Sequence, residues 1–270
     1  MATPAVAEAT RVCYLYGVVL ADRLPLLEGV AGVGDAPLSF VDADRLVAVV
    51  ADVARRDFVP PDAERADTAW LEKAVRAHES VLERCLDPGP VLPMRFATTV
   101  RDDADVRALL REHQIEFTAS LERLLGHREW GVKALLADPA ALAQHVLRIR
   151  DDLSARDREL VGRSPGTAYL ARKRLDREIA LAGDDVAADA VVAAYQRLAA
   201  ASVDALLLTD SQPRAERVHL NAAYLVVEAD EAAFEAVVAE LDLEHAELGL
   251  RYELTGPWPA YNFVDQPERP

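Results

Sequence analysis

Polar and apolar residues alternate along residues 129–136, near the middle of the chain. The apolar positions of this stretch are Trp130, Val132, Ala134 and the pair Leu135/Leu136. They alternate with Glu129, Gly131 and Lys133. A period of two is typical of a strand with one buried face. Gly126 lies before the stretch and Asp138-Pro139 comes after it, and these residues favour turns. We therefore predict that Glu129 begins the first strand of a second domain.

After this strand, the hydrophobic pattern predicts a long helix, two strands, a helix and a final strand. That order is the βαββαβ order of a ferredoxin-like fold. We predict that residues 127–270 form such a domain, with one antiparallel sheet covered on one face by two helices. The predicted strands lie near 129–136, 205–209, 217–227 and 248–255, and the helices near 167–203 and 231–243.

Two predicted helices in residues 127–270 do not fit the simple βαββαβ order directly. A helix over 139–160, started by Pro139 at its first position, is extra to the simple ferredoxin-like fold. Within 167–203, Gly183-Asp184-Asp185 interrupts the apolar pattern. A kinked helix and a two-helix hairpin both fit that interruption.

The chain before Gly126 is predicted to form one α+β domain, residues 1–126. A nearly continuous apolar run predicts a central strand, and a turn at Asp42–Asp44 predicts a hairpin. Asp62 is a plausible N-cap of a helix that runs to Leu86, and Asp102-Asp103 should cap the next helix. The predicted elements are strands at 12–20, 38–41 and 46–50, strand character at 91–92 and 96–100 around Pro93, and helices at 62–86 and 104–125.

Composition narrows the class of partner. The net charge is −16, which argues against nucleic acid because phosphate binding needs a basic surface. Cys13 and Cys85 are far apart and fall in apolar positions, so we predict buried free thiols. The first ten residues lack the features of a signal peptide, and no apolar run is long enough to span a membrane. We therefore expect a cytoplasmic protein that does not bind membranes.

The sequence contains few residue patterns that would indicate catalysis or the binding of a phosphate or metal ion. The glycines at 29, 32 and 34 run into Pro37 and a strand rather than a helix, so they do not form a phosphate loop. His78 lies within the apolar face of its helix and is interpreted as a core histidine, since His78-Glu79 lacks the second histidine of a zincin. The cluster Arg172–Arg177 is interpreted as a solvated helix face. We predict no enzymatic activity, no catalytic residue, no cofactor and no metal.

Five stretches resemble one family, the gas vesicle proteins of the GvpF/GvpL type. They are Val91–Val100, Glu129–Lys133, Gly166–Leu170, Asn221–Val226 and Gly256–Val264, and Tyr14-Leu-Tyr-Gly17 fits as well. Ala97 stands where the family has glycine, and Ala260 where it has proline. The residues that the resemblance marks as structural or partner-binding are Pro93, Arg95, Phe96, Trp130, Tyr169, Tyr224, Gly256, Pro257, Trp258, Tyr261 and Phe263.

The resemblance implies a non-enzymatic accessory protein of gas vesicle assembly. It implies two α+β domains, the second a modified ferredoxin-like fold, and no cofactor. The implied partners are the small hydrophobic shell protein and other accessory proteins, and the implied location is the cytoplasm and the gas vesicle. The alternative is a ferredoxin-like module that binds a small ligand or regulates another protein.

The C-terminal stretch from Gly256 carries three aromatic residues beside two prolines. Gly256 permits a turn out of the closing strand, and the two prolines keep the backbone around them extended. We predict that the segment packs back over its own protein near Pro93–Phe96, rather than forming an exposed hook for the shell protein. Trp258→Ala should cost about 3–5 kcal/mol if Trp258 is fully buried.

Overall fold

A computed structural model describes residues 11–54, 68–161, 165–209 and 217–264. The chain divides into two compact units. One unit comprises the chain up to Arg128 together with the segment from Trp258, and the other is Glu129–Pro257. The sequence-based boundary placed all of 127–270 in one domain, whereas the structure groups the C-terminal segment with the first unit. The predicted N-cap at Asp62 lies outside the described residues.

The sheet of the first unit is built around its first strand. This strand, β1, lies between β3 on one side and the two short strands β4 and β5 on the other, and all pairings are antiparallel. The predicted hairpin is confirmed as β2 and β3, which are joined through Asp44 at φ 54°. The strands are β1 Arg11–Leu20, β2 Leu38–Ala43, β3 Leu46–Ala54, β4 Leu92–Pro93 and β5 Thr99–Val100.

The strand predicted at 96–100 is wrong in its first half. Phe96 and Ala97 form a turn, and only Thr99–Val100 pairs with β1. Ala97 has φ +65°, in the left-handed region that favours glycine. This is the position at which the family resemblance leads one to expect glycine.

The helix predicted at 104–125 is two helices, α2 Asp103–Glu112 and α3 Gln114–Leu124, which come after α1 Thr68–Cys85. Asp102 caps α2 as predicted, since its side chain accepts hydrogen bonds from the amides of Ala104 and Asp105. His113 breaks the helix with φ −102° and ψ 16°, and its ring stacks on Phe117. The break allows Phe117 to enter the core and leaves Ile115 90% exposed.

The four strands predicted for the second half form one sheet, in the order β7-β8-β6-β9. Trp130 and Val132 of β6 face its apolar core, as the alternation predicts. Glu129, expected on the polar face, is buried. The turn predicted at Gly256 is wrong, because β9 continues through Gly256 to Trp258. The strands are β6 His127–Leu136, β7 Asp204–Leu207, β8 Arg217–Val227 and β9 Leu250–Trp258.

Four helices, α4 Pro139–Ile149, α5 Asp151–Val161, α6 Pro165–Ala200 and α7 Glu231–Glu244, belong to the described part of the second unit. The helix predicted at 139–160 is wrong as one element, because Arg150 adopts φ −117° and ψ 90° between α4 and α5. Asp138 caps α4 and Pro139 is its first residue. Both α6 and α7 contribute buried side chains to the core against the sheet.

The long helix α6 is one uninterrupted element of 36 residues. Gly183 therefore neither splits it nor ends it. A Cβ atom built on Gly183 would lie 3.1 Å from Cγ of Leu142, so glycine lets α4 approach α6 closely. The apparent interruption in the sequence is a helix-packing contact.

Candidate functional site

Three aromatic rings and one imidazole form a buried cluster in the first unit. Tyr14 and Tyr16 are two residues apart on β1 and thus share a face, and their ring centroids lie 4.7 Å apart. His78 of α1 stacks on Tyr16 with centroids 5.5 Å apart. Phe96, in the turn before β5, contacts Tyr14 and His78 edge-on. The strand, the helix and the turn are thus joined at one point.

Hydrogen bonds fix the orientation of this cluster. Nε2 of His78 is 3.2 Å from the carbonyl oxygen of Met94, and a carbonyl only accepts, so Nε2 carries the proton. Nδ1 must then accept from the Tyr14 hydroxyl, 2.9 Å away. The Tyr14 oxygen in turn accepts from the Ala97 amide at 3.0 Å. The network therefore holds the turn at residues 94–97 against the core.

Burial keeps every member of the network neutral. Burial lowers the pKa of His78 from 6.5 to about 4. Burial likewise raises the pKa of Tyr16 to about 12, although the Val33 amide that donates to its hydroxyl at 2.8 Å acts in the opposite direction. Burial also raises the pKa of Tyr14. Groups with such pKa values do not change their protonation state near neutral pH. The cluster is therefore suited to a structural role rather than to acid–base catalysis. His78 is confirmed as a core histidine.

The last residue of the Tyr14–Gly17 motif is glycine because the neighbouring strand leaves no room for a side chain. A Cβ atom at Gly17 would lie 2.7 Å from a methyl group of Val91 and 2.8 Å from the carbonyl oxygen of Leu92. Gly17 is paired with Pro93 in the adjacent strand. Two of the motif stretches therefore meet at a contact that only glycine allows.

The C-terminal segment packs within the first unit. Phe263 and Ala260 are buried, and Tyr261 packs on the same core as Phe96. The Tyr261 hydroxyl donates to Oε1 of Glu79 at 3.1 Å; burial raises the pKa of this carboxyl and the hydrogen bond lowers it. The prediction that this segment packs back on its own protein is confirmed. Trp258 is only half-buried, so the full cost predicted for Trp258→Ala does not apply.

The other marked residues are dispersed. Pro93 is buried in β4, whereas Arg95 is exposed. Trp130 and Tyr224 lie in the core of the second unit, where the Trp130 indole donates to Glu231 at 3.2 Å. Tyr169, on α6, is 63% exposed. Gly256 and Pro257, in β9, are exposed and half-buried respectively.

An apolar groove of about 640 Å³ lies in the second unit, where α4 and α6 meet the end of β6. Its floor is made by apolar side chains, with Gly183 between them. Arg172 at its rim is held by Asp157 at 2.6 Å and Asp176 at 3.0 Å. Sequence reasoning did not find this groove. The lining residues are Leu136, Ala137, Pro139, Leu142, Ala143, Leu147, Arg172, Asp176, Ile179, Ala180, Gly183 and Asp184.

The part of the chain that the structure describes contains neither a candidate metal site nor a helix able to span a membrane. Within 11–54, 68–161, 165–209 and 217–264, no three side chains of His, Cys, Asp or Glu are grouped so as to hold a metal ion. No helix in these ranges combines the length and hydrophobicity needed to cross a membrane. Cys13 and Cys85 are confirmed as buried free thiols, and burial raises the pKa of each to about 12.

The family model described as gas vesicle synthesis protein GvpL/GvpF matches residues 12–265. The chain belongs to the GvpL/GvpF family. Gas vesicle protein L of Streptomyces sp. (strain CB03234) is 36% identical over 263 residues, which cover 94% of this chain and 93% of that protein. Gas vesicle protein F2 of Halobacterium salinarum is 28% identical and covers 93% of this chain and 91% of its own length.

Solved structures of GvpF share the fold of this GvpL/GvpF chain. The crystal structure of gas vesicle protein GvpF from Anabaena sp. PCC7120 superposes with a TM-score of 0.70, covering 95% of this chain and 99% of that one at 18% identity. GvpF from Microcystis aeruginosa gives a TM-score of 0.64 at the same identity. At this identity, the likeness establishes the mixed α+β fold alone.

Proposed function

We propose that this chain is a non-enzymatic accessory protein of gas vesicle assembly that binds the small hydrophobic shell protein and other accessory proteins. The observation that carries the proposal is the match to the GvpL/GvpF family over residues 12–265. Relatives similar over nearly their whole length are named gas vesicle proteins L and F. The chain therefore acts at the forming gas vesicle.

The apolar groove supports the shell protein as the occupant. An apolar subunit exposes surface that drives aggregation until it is assembled. Grooves between helices commonly receive the apolar face of a partner helix. The groove between α4 and α6 has this chemistry, because Leu147 and Ala143 line it and remain half-exposed.

We also propose that the second unit is a ferredoxin-like domain. The sheet order β7-β8-β6-β9, with α6 and α7 against its core, supports this classification. In this proposal α4 and α5 are additions to the simple fold. The motif residues Phe96 and Tyr261 serve the first unit structurally, since both side chains pack on its core, and Phe263 is buried in the same C-terminal segment.

The test is retention of the shell protein by the immobilised full chain. Ala180, exposed at the groove, is replaced in an Ala180→Glu variant that places a carboxylate over the apolar floor. Ala193→Glu is the matched control, since Ala193 is exposed on the same helix and does not line the groove. We expect wild type and Ala193→Glu to retain the shell protein and Ala180→Glu to lose it.

Two outcomes would contradict this proposal. Failure of the wild-type chain to retain the shell protein removes the binding function. A metabolite or metal ion retained in stoichiometric amount through purification favours the ligand-binding or regulatory module instead. If wild type and both variants retain the shell protein equally, the chain binds it at a surface other than the groove.

A further inference from the structure

Helix α6 carries a line of exposed apolar side chains. Leu170, Leu181 and Val192 are 77%, 60% and 56% exposed and are spaced by eleven residues. Eleven residues make three helical turns with a drift of only about 20°, so the three side chains share one line along the helix. Single exposed apolar residues are ordinary, but three in register along a helix form a stripe. We call these three residues and the surface between them the α6 stripe.

The charges beside the α6 stripe are separated by sign. Lys173, Arg174 and Arg177 lie between its first two apolar residues, and Asp184, Asp185 and Asp189 lie between the second and the third. All are exposed except the half-exposed Asp184. The first half also holds Asp176, paired with Arg172, and Glu178, paired with Arg156. With four cations and two anions it keeps a positive charge in a chain of net charge −16, whereas the second half is acidic.

We propose that the α6 stripe is a self-association surface that pairs antiparallel with the same stripe of a second copy of this chain. When Leu181 faces Leu181 of the partner subunit, each position before 181 meets the position equally far after it. Leu170 then meets Val192 of the partner subunit. Arg177 then meets Asp185 of the partner subunit and Lys173 meets Asp189 of the partner subunit, and each pair occurs twice because the arrangement is two-fold symmetric. Glu178, which meets Asp184 of the partner subunit, is already paired with Arg156 of its own chain.

The sign pattern selects this orientation and this partner. A parallel arrangement would set the basic halves against each other, and like charges in register oppose association. The antiparallel arrangement matches basic to acidic halves and also aligns the helix dipoles favourably. Self-association through the α6 stripe is independent of the proposed function.

The first test compares Leu181→Glu with Leu243→Glu. Leu243 lies on α7, away from the stripe, and is also an exposed leucine, so neither change removes core packing. Sedimentation velocity of the full chain should show a monomer–dimer equilibrium for wild type and Leu243→Glu. Leu181→Glu, which places two carboxylates at the symmetry axis, should weaken dimerisation by more than about tenfold. A wild type that stays monomeric, or a Leu181→Glu chain that dimerises as well as wild type, would overturn the proposal.

The second test examines orientation by charge reversal. A Lys173→Asp/Arg177→Asp chain carries acidic residues at all four paired positions (173, 177, 185 and 189), and an Asp185→Arg/Asp189→Arg chain carries basic residues at all four. Each alone should be monomeric, whereas an equimolar mixture should form heterodimers because every antiparallel pairing is again between opposite charges. Circular dichroism checks that both variants remain folded. Absence of heterodimers in the mixture of folded variants would overturn the antiparallel arrangement.

Discussion

Each unit has a fully buried tyrosine at the centre of its sheet, and the two tyrosines are held in opposite ways. In the first unit, the Tyr14 hydroxyl donates to His78 and accepts from the Ala97 amide. In the second unit, Tyr224 packs between Tyr195 and Phe234, and its hydroxyl has no hydrogen-bond partner among the described residues. One core is organised by a polar network, and the other by apolar packing around an isolated hydroxyl.

The difference shows what a buried hydroxyl contributes. A hydrogen-bonded network inside a core specifies one arrangement of the segments that it joins. Tyr14 and His78 together hold residues 94–97, a stretch with little regular secondary structure of its own. The Tyr224 hydroxyl joins nothing among the described residues, and a buried unpaired polar group is destabilising. Tyr14 and Tyr224 are equally buried, but we expect removal of the hydroxyl group to change the stability of the two units by different amounts.

The largest effect is expected for Tyr14→Phe. The change leaves Nδ1 of the buried His78 without its donor, which costs about 1–3 kcal/mol, and removes the part-buried hydrogen bond of the Ala97 amide, which contributes about 0.5–1.5 kcal/mol. We expect the free energy of unfolding of the first unit to fall by about 2–4 kcal/mol. Hydrogen exchange of the slowest amides in β1 and β3 measures this for the unit itself. A loss below about 1 kcal/mol would show that the network is energetically unimportant.

The second effect is a pH dependence from His78. Its pKa is lowered by burial from 6.5 to about 4, so between these values the unfolded chain binds a proton that the folded chain does not. Stability therefore falls as pH decreases through this window, and the loss reaches about 3 kcal/mol below pH 4. The measurement is the difference in unfolding free energy between wild type and His78→Gln, measured as a function of pH. A difference that stays constant from neutral pH to about pH 4 would contradict the assignment.

A smaller and opposite effect is expected at the turn that the network holds. Ala97 has φ +65°, and a left-handed conformation costs about 1–2 kcal/mol for a residue with a Cβ atom. Ala97→Gly relieves that cost but adds freedom to the unfolded chain. We expect a net gain of about 0.5–1 kcal/mol in thermal or urea unfolding. Ala36→Gly, at the ordinary φ of −70°, is the control and should be neutral or destabilising.

The smallest effect is expected for Tyr224→Phe. Removing an unpaired hydroxyl takes away no hydrogen bond among the described residues and keeps the ring in its contacts. We expect a change between zero and a gain of about 1 kcal/mol. Hydrogen exchange in β8 reports it. A loss comparable to that of Tyr14→Phe would mean that the two cores are held alike.

The strands could be predicted from sequence because their patterns are local. The alternation around Trp130 and the apolar run of β1 both depend on neighbours within ten residues, and both elements are present. The helix breaks at His113 and Arg150 could not be predicted, since neither involves proline or glycine. Phe117 shows the reason: a tertiary contact selects which side chain is buried, and the helix is interrupted to allow it.

The candidate sites depend on contacts that the sequence does not encode locally. His78 could be recognised as a core residue from its place on a helix face, but its partner Tyr14 lies 64 residues away. Gly183 was interpreted as an interruption, whereas its role depends on Leu142 of another helix. The groove results from that packing and therefore could not be predicted.

The return of the chain to its first unit affects the order in which the protein can be completed during synthesis. Residues 129–257 are translated between the two parts of the first unit. The aromatic core around Tyr14 lacks the cover of Tyr261 until the last segment has been made. On the ribosome, the unit that is translated first therefore receives its C-terminal segment only after all of the second unit has been translated.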